Sequence, residues 1–159
     1  MERVKDVAAE VAAEVESTVE SLVTVLETAR MAQSPAVPPT QLRVLTIIAG
    51  NRHTNMNRLA EALGVVPSSA SRLCDRLEAT GLLRRVPDPR DRREVRLTLT
   101  PAARRMLDEL RERRRTALAD VLERMAPTAR QDLVRALAAF DTAAGAAVVD
   151  ADEDSLRTA

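Results

Sequence analysis

Aromatic side chains are almost absent from this chain of 159 residues, which has one phenylalanine and neither tryptophan nor tyrosine. Proteins that hold single-stranded DNA or RNA usually stack the bases on aromatic side chains. Because this chain lacks such a platform, that mode of nucleic-acid binding is excluded.

Cysteine and histidine each occur once, as Cys74 and His53. A single cysteine cannot close an intramolecular disulfide, and with one histidine it cannot complete a Cys/His zinc site. We therefore expect no metal and no cofactor. The sequence also lacks a cluster of nucleophile, acid and base and a glycine-rich phosphate loop, so we expect no catalytic residues and no enzymatic activity.

Two interpretations compete for each of these residues. His53 lies in a predicted loop, where a solvated histidine is favoured over a pH sensor or a residue of a ligand pocket. Cys74 lies on the apolar stripe of a predicted helix, which favours an inert, small hydrophobic residue over a redox sensor.

Long apolar runs are missing as well, since no stretch approaches the roughly 20 residues that span a bilayer. The first twenty residues alternate charge with valine and alanine, unlike a signal peptide. With 45% hydrophobic and 30% charged residues the composition is that of a globular domain. We expect a cytoplasmic protein that does not enter the membrane.

The formal net charge is zero, but the charge is unevenly distributed. Residues 51–96 contain ten arginines and six acidic residues, a net charge of +4, whereas residues 1–50 carry −3 and residues 97–159 carry −1. Basicity concentrated in one segment is expected when one surface of a protein faces phosphates.

A helix-turn-helix is predicted within this basic segment. Residues 55–63 have apolar side chains at helical spacing, and Gly64 ends that helix. After a short turn, Pro67 occupies the first position of a second helix over residues 67–79, which Gly81 stops.

The second helix has an apolar stripe and a polar face. The stripe, which can pack against the first helix, consists of Ala70, Leu73, Cys74 and Leu77. The open face carries Ser68, Ser69, Arg72 and Arg76. Arginine presents a forked donor suited to guanine O6 and N7, and serine hydroxyls and helix N-terminal amides bond phosphate oxygens. We predict that these four residues contact the major groove and that Ser71 contacts a phosphate. The alternative is an ordinary amphipathic helix with a solvated face.

A β-hairpin is predicted directly after the helix-turn-helix. Residues 82–86 and 94–99 alternate as half-buried strands do, and residues 87–93 between them contain two prolines, two aspartates and three arginines. The prolines and aspartates predict a turn at the tip. A basic tip beside a helix-turn-helix can enter the minor groove.

The arginines of the tip are assigned different roles. Arg90 is the first candidate for the minor groove and Arg92 the next, whereas Arg93 is assigned a structural role. Alternatively, Asp88 and Asp91 pair with these arginines and only stiffen the hairpin. We expect both, with one arginine reaching DNA and another paired within the hairpin.

These segments resemble the MarR family of bacterial transcriptional regulators. The resemblance rests on RLAEALGV at 58–65, SRLCDRLE at 71–78, GLL at 81–83, and DPRDRR at 88–93 running into VRLTLT at 95–100. It implies a mainly α fold with a small β-hairpin wing, a winged helix-turn-helix joined to a helical dimerisation region. It further implies a homodimer regulated by a small aromatic or anionic effector that binds between the dimer helices and the DNA-binding module.

One residue departs from the family pattern. Where MarR proteins often have a serine or threonine that caps the second helix, this chain has Val66, which offers no side-chain acceptor.

Four segments are expected along the chain. Residues 1–33 form an N-terminal dimerisation helix, residues 40–100 the winged helix-turn-helix, residues 101–149 the C-terminal dimerisation helices, and residues 150–159 an acidic, disordered tail. The first helix has a longer apolar stripe than the small DNA-binding module can cover. A two-fold dimer interface is therefore favoured over a partner helix within the same chain.

Two details of the helical regions are also predicted. Thr40 is expected to cap a helix over residues 41–49, with a core face of Leu42, Leu45, Ile48 and Ala49. Arg114 interrupts the apolar stripe of the helix that begins at residue 101. It either pairs with an acid of the first helix in the dimer, meets an anionic ligand, or extends to solvent, and the last is favoured.

The sequence thus predicts a regulator, in our interpretation a repressor, that binds an inverted repeat in double-stranded DNA as a homodimer. Two reading helices would lie one duplex turn apart, roughly 34–36 Å. The alternative is a helical dimer that binds another protein and whose winged helix does not bind DNA.

Overall fold

The computed structural model describes the backbone of residues 2–31, 37–51, 53–88 and 94–157, and side chains within these ranges from residue 9 to residue 145. The described elements are α1 (Glu2–Met31), α2 (Pro39–Gly50), α3 (Met56–Leu63), α4 (Pro67–Ala79), β1 (Leu83–Pro87), β2 (Val95–Leu99), α5 (Pro101–Leu122) and α6 (Pro127–Arg157). The predicted fold class, mainly α with a β-hairpin, is confirmed. The chain divides into two compact units, residues 1–117 and residues 118–159.

Local signals set the ends of α3 and α4. The Asn55 side chain accepts a hydrogen bond of 3.0 Å from the amide of Arg58, and Gly64 ends α3 in the left-handed region at φ 67°. Pro67 then occupies the first turn of α4. Since glycine adopts a positive φ without steric cost and proline is preorganised for a helix start, the tight turn between the two helices follows from the sequence.

The start of α2 differs from the prediction that Thr40 caps this helix. The helix begins at Pro39, with Pro38 in the N-cap position and no side-chain cap, so Thr40 lies inside the helix. A proline at the first helical position has no amide to satisfy and already has a helical φ, which makes a threonine cap unnecessary.

The predicted core face of α2 is also partly wrong. Ala49 is exposed, whereas Val44 and Leu45 are both fully buried. Neighbouring helical residues point about 100° apart, so this helix is covered on more than one side. It packs against α3, α4 and β2.

The hairpin is antiparallel and pairs Leu83 with Leu99 and Pro87 with Val95. A further bridge joins it to the loop before α3, because the Leu97 amide donates to the Thr54 carbonyl at 2.8 Å. At the base of the hairpin, the Thr100 hydroxyl donates to the Gly81 carbonyl at 2.8 Å and accepts from the Ala103 amide at 3.2 Å. One buried side chain thus closes the hairpin and caps α5.

A single hydrophobic core fills the first unit. It consists of side chains from α2, α3, α4, both strands and the first half of α5, with Val44, Leu45, Leu59, Cys74, Leu77 and Leu83 among the most completely buried. The core therefore fixes α4 and the hairpin in one rigid arrangement.

Outside this core, long helical faces carry exposed apolar side chains. On α1 these are Val11, Val15, Val19, Leu22 and Val23, and on α6 they are Leu133, Val134, Leu137 and Phe140. Large exposed apolar patches mark surfaces that associate with a partner.

Helix α6 extends further than the sequence predicts. Its backbone remains helical to Arg157, so residues 150–157 are helical where a disordered tail was expected. No proline or glycine follows Gly145 before Arg157, and nothing in the local backbone forces the helix to end. None of the helices among the described residues combines the length and apolarity required to cross a membrane.

Burial of Cys74 gives a testable prediction. The thiol is fully buried, and this burial raises its pKa from 9.0 to about 11. The folded state therefore holds the proton more tightly than the unfolded state. The resulting stability is fully present below pH 9 and is lost as the pH rises from about 9 to about 11, at up to about 1.4 kcal/mol per pH unit.

We expect this alkaline loss of stability to disappear in Cys74→Ala. Few other side chains titrate in this pH range, because the chain has no tyrosine, Lys5 is its one lysine, and arginine stays protonated. Denaturant unfolding of both proteins between pH 7 and 11 measures the effect. Equal pH dependence in wild type and variant would contradict it.

Candidate nucleic-acid interface

The polar face of α4 is open to solvent. Ser68, Arg72 and Arg76 are exposed, and Ser69 is half-buried at the edge of the same face. Among the described residues, neither Arg72 nor Arg76 has a hydrogen-bond or ion-pair partner for its guanidinium. The structure thus brings together the four residues predicted to contact the major groove, and both arginines are available for a ligand.

An unpredicted residue, Arg85 of β1, joins the hairpin to α4. Its Nη2 lies 2.7 Å from Asp75 Oδ1, and its Nη1 lies 2.7 Å from Glu78 Oε2. Nη2 also lies 3.4 Å from the Ser71 hydroxyl. The hydrogen bond that the Arg85 guanidinium donates to Asp75 raises the pKa of this guanidinium further above its usual value, and the charge of Glu78 acts in the same direction.

This cluster has two consequences for the surface. Asp75 and Glu78, both acidic residues of α4, share the single positive charge of Arg85, so these three side chains keep a net charge of −1. Arg72 and Arg76 bring the total charge of this surface to +1. Ser71 is half-buried and its hydroxyl faces Arg85. Its contact with a phosphate therefore stays a prediction, and any such contact must share the hydroxyl with Arg85.

A signal for the cluster is present in the sequence. Asp75 and Glu78 are three residues apart and lie on one side of a helix, and β1 carries arginine at two successive positions whose side chains point to opposite faces. One of the two must therefore face toward α4 if the hairpin packs there. The sequence alone does not say which of the two arginines does so, because this depends on how the hairpin packs against α4.

The predicted tip of the hairpin lies mostly outside the described residues. This applies to Arg90, Asp91, Arg92 and Arg93, whose roles stay predictions. The described structure reaches the base of the tip, where the Asp88 amide donates to the Glu94 carbonyl at 2.9 Å. Residues 88 and 94, which flank the tip, are therefore held together by this bond.

A cavity of about 540 Å³ lies within the first unit, between the end of α2, strand β2 and α5. Its apolar lining includes Ile48, Leu97 and Leu107. Among the described residues, its cationic lining is Arg96, Arg104 and Arg111, and its one acid is Asp108, which pairs with Arg111 at 3.0 Å. Nε of Arg96 is buried without a hydrogen-bond partner among the described residues. His53 is exposed, as predicted for a loop histidine, and also lies on this lining.

Comparison with known proteins agrees with this geometry. Residues 37–94 match the MarR family model. The chain belongs to the MarR family of HTH transcriptional regulators. The resemblance inferred from the sequence is confirmed, and this membership, rather than any missing catalytic group, confirms that the chain is not an enzyme.

Individual MarR relatives give the extent of the similarity. The uncharacterized HTH-type transcriptional regulator YfiV of Bacillus subtilis is 29% identical over 103 residues, which are 65% of this chain and 64% of YfiV. The HTH-type transcriptional repressor MdtR of the same organism is 29% identical over 96 residues, 60% of this chain and 62% of MdtR. The matched region thus spans less than two thirds of either curated relative.

Solved structures extend the likeness over more of the chain. The crystal structure of RV1404 from Mycobacterium tuberculosis is 35% identical, with a TM-score of 0.76, and covers 85% of this chain and 92% of that one. A MarR family protein from Bacillus stearothermophilus has the same TM-score of 0.76 at 22% identity, covering 89% of this chain and 97% of that one. The winged-helix fold of the family is therefore shared.

The Arg85 cluster can be tested by comparing two neighbouring arginines. Arg85→Ala should destabilise the fold by about 1–2 kcal/mol, because it leaves two acids and a half-buried hydroxyl without their partner. Arg84→Ala is the matched control, since Arg84 is exposed and forms no ion pair with a described residue. Its expected cost is within about 0.5 kcal/mol.

Denaturant unfolding at low and high salt measures both variants. The difference between them should shrink at high salt, since screening weakens partly exposed ion pairs. Equal midpoints for Arg84→Ala and Arg85→Ala would contradict a stabilising cluster.

Proposed function

We propose that this MarR protein binds a specific inverted repeat in double-stranded DNA as a homodimer and represses transcription from it. The observation that carries the proposal is the exposed α4 face, where Arg72 and Arg76 have no ion-pair partner in the described part of the chain, while Arg85 pairs with both acids of the helix. A helix face whose arginines form no ion pair with the acids of the same helix fits the major groove. The similarity to MdtR, which is described as a repressor, supports the direction of regulation.

Each exposed group has a role in this proposal. Arg72 and Arg76 read base edges with Ser68 and Ser69, and Ser71 contacts a phosphate. Arg90 enters the minor groove and Arg92 follows it, whereas Arg93 is structural. The protein acts in the cytoplasm, where its DNA target lies.

Exposed apolar faces support the homodimer. Val11, Val15, Val19 and Val23 of α1 follow one another at steps of four, so they form one stripe along the helix. An exposed apolar stripe of this length marks a surface that a partner covers. A two-fold partner would cover the same stripe on both copies and present two α4 helices to one duplex, which requires an inverted repeat.

Replacing Arg72 by alanine tests the reading face. On the operator, obtained by selecting bound duplexes from a random pool, we expect Arg72→Ala to lose about 1–3 kcal/mol and to relax preference at one base pair of each half-site. Arg43→Ala is the control, since Arg43 is exposed on α2, outside the α4 face. Titration of operator and random duplex at several salt concentrations measures both.

The outcomes of this titration separate the alternatives. Equal loss on operator and random duplex would mean that Arg72 contacts only phosphate. Absence of duplex binding by the wild type at low salt would contradict the proposal, and would favour the helical dimer that binds another protein.

The cavity beside β2 supports an anionic aromatic effector. Three arginines and a single acid, which is paired, line the described part of the cavity, so the lining has uncompensated positive charge, and the apolar side chains offer a surface for a ring. The buried Arg96 Nε has no hydrogen-bond partner in the described ranges, and buried donors left unsatisfied are costly. A carboxylate in the cavity would satisfy this donor.

The effector site can be tested with a second pair of neighbouring arginines. Arg104 lines the cavity and Arg105 does not. A panel of aromatic carboxylates should raise the melting temperature of the wild type. Arg104→Met should weaken the tightest of them by about 10- to 100-fold through loss of a charge-assisted contact, and Arg105→Met should not.

Calorimetric titration of both variants measures the affinities, and operator binding with and without ligand measures release of DNA. The same loss in both variants, or no ligand from the panel that stabilises the wild type, would contradict an effector site in this cavity.

A further inference from the structure

The turn before α4 exposes an apolar side chain beside the polar reading face. Val66 is 62% exposed, whereas Val65 next to it is 39% exposed. Val66, Ser69, Arg72 and Arg76 follow one another at steps of three, three and four residues. The valine therefore continues the reading face beyond the first turn of the helix.

The backbone holds this side chain in a fixed position. The Val66 carbonyl accepts hydrogen bonds from the amides of Ser69 at 3.0 Å and Ala70 at 3.2 Å, and Pro67 fixes the next φ. A β-branched side chain also has few rotamers. Contact with a ligand would therefore cost little conformational entropy.

The chemistry of valine restricts what it can recognise. Its side chain neither donates nor accepts hydrogen bonds, so it cannot read the polar edge of a base or bond a phosphate. The apolar group that an unmodified base presents in the major groove is the C5-methyl group of thymine. Apolar side chains contact that methyl group favourably.

We infer that Val66 determines specificity by packing against a thymine C5-methyl group in each half-site of the operator. This inference rests on the proposed function, since it requires that the α4 face binds duplex DNA. It adds a preference that the arginines and serines of the face do not supply.

Substitution of deoxyuridine for thymine tests the inference directly, because the two nucleotides pair identically and differ by the methyl group alone. Each thymine of one half-site of the selected operator is replaced in turn. For the wild type, one position should weaken binding by about fourfold, the factor expected from exposing one buried methyl group. Val66→Ala should bind the thymine and deoxyuridine duplexes equally at that position.

Val65→Ala is the matched control, since it removes the same atoms from the adjacent, less exposed valine. It should keep the discrimination. Because Val66 is exposed, Val66→Ala should retain the melting temperature of the wild type. The deoxyuridine scan of the wild type also tests the inference by itself, since it requires no substitution in the protein.

Two results would overturn the inference alone: a wild type that binds the operator but is insensitive at every thymine, or a Val66→Ala variant that remains sensitive. Failure of the wild type to bind any duplex at low salt would overturn the proposed function, and this inference with it.

Discussion

The structure depends on the arginine that joins the hairpin to the second helix of the helix-turn-helix. A two-stranded hairpin is marginal by itself, and burial of Leu83 and Leu97 holds one of its faces in the core. Arg85 lies on the same face, directly opposite Leu97, and ties the hairpin to α4 through Asp75 and Glu78. Because the same contacts engage both acids of α4, one side chain both positions the wing and keeps these acids paired with the hairpin rather than with Arg72 and Arg76.

Whether a feature could be predicted from the sequence depends on how far apart along the chain its interacting residues lie. Asn55, Gly64 and Pro67 act on their immediate neighbours, so the ends of α3 and α4 were predictable. The exposed face of α4 followed from periodicity. The partner of Asp75, ten residues away on a strand, did not, because that pairing exists only after the hairpin packs against the helix.

The error on α2 and the difference at the end of α6 have separate origins. Periodicity assigns one buried face to a helix, and α2 is covered on more than one side, which buries Val44 and leaves Ala49 exposed. The acidic composition of residues 150–157 indicated disorder, but composition alone does not end a helix that lacks proline and glycine. The cavity could not be foreseen, because its lining comes from three elements and the loop before α3.

The position of the cavity explains how an effector could act on DNA binding without a long relay. Strand β2 is at once the second strand of the wing and a wall of the cavity, and Leu97 also bonds the loop that leads into α3. A ligand that engages Arg96 therefore contacts the same strand that positions the wing. Since β1 ties that wing to α4 through Arg85, a small shift of β2 must be shared by both elements that are proposed to face DNA, or it must strain the ion pairs between them.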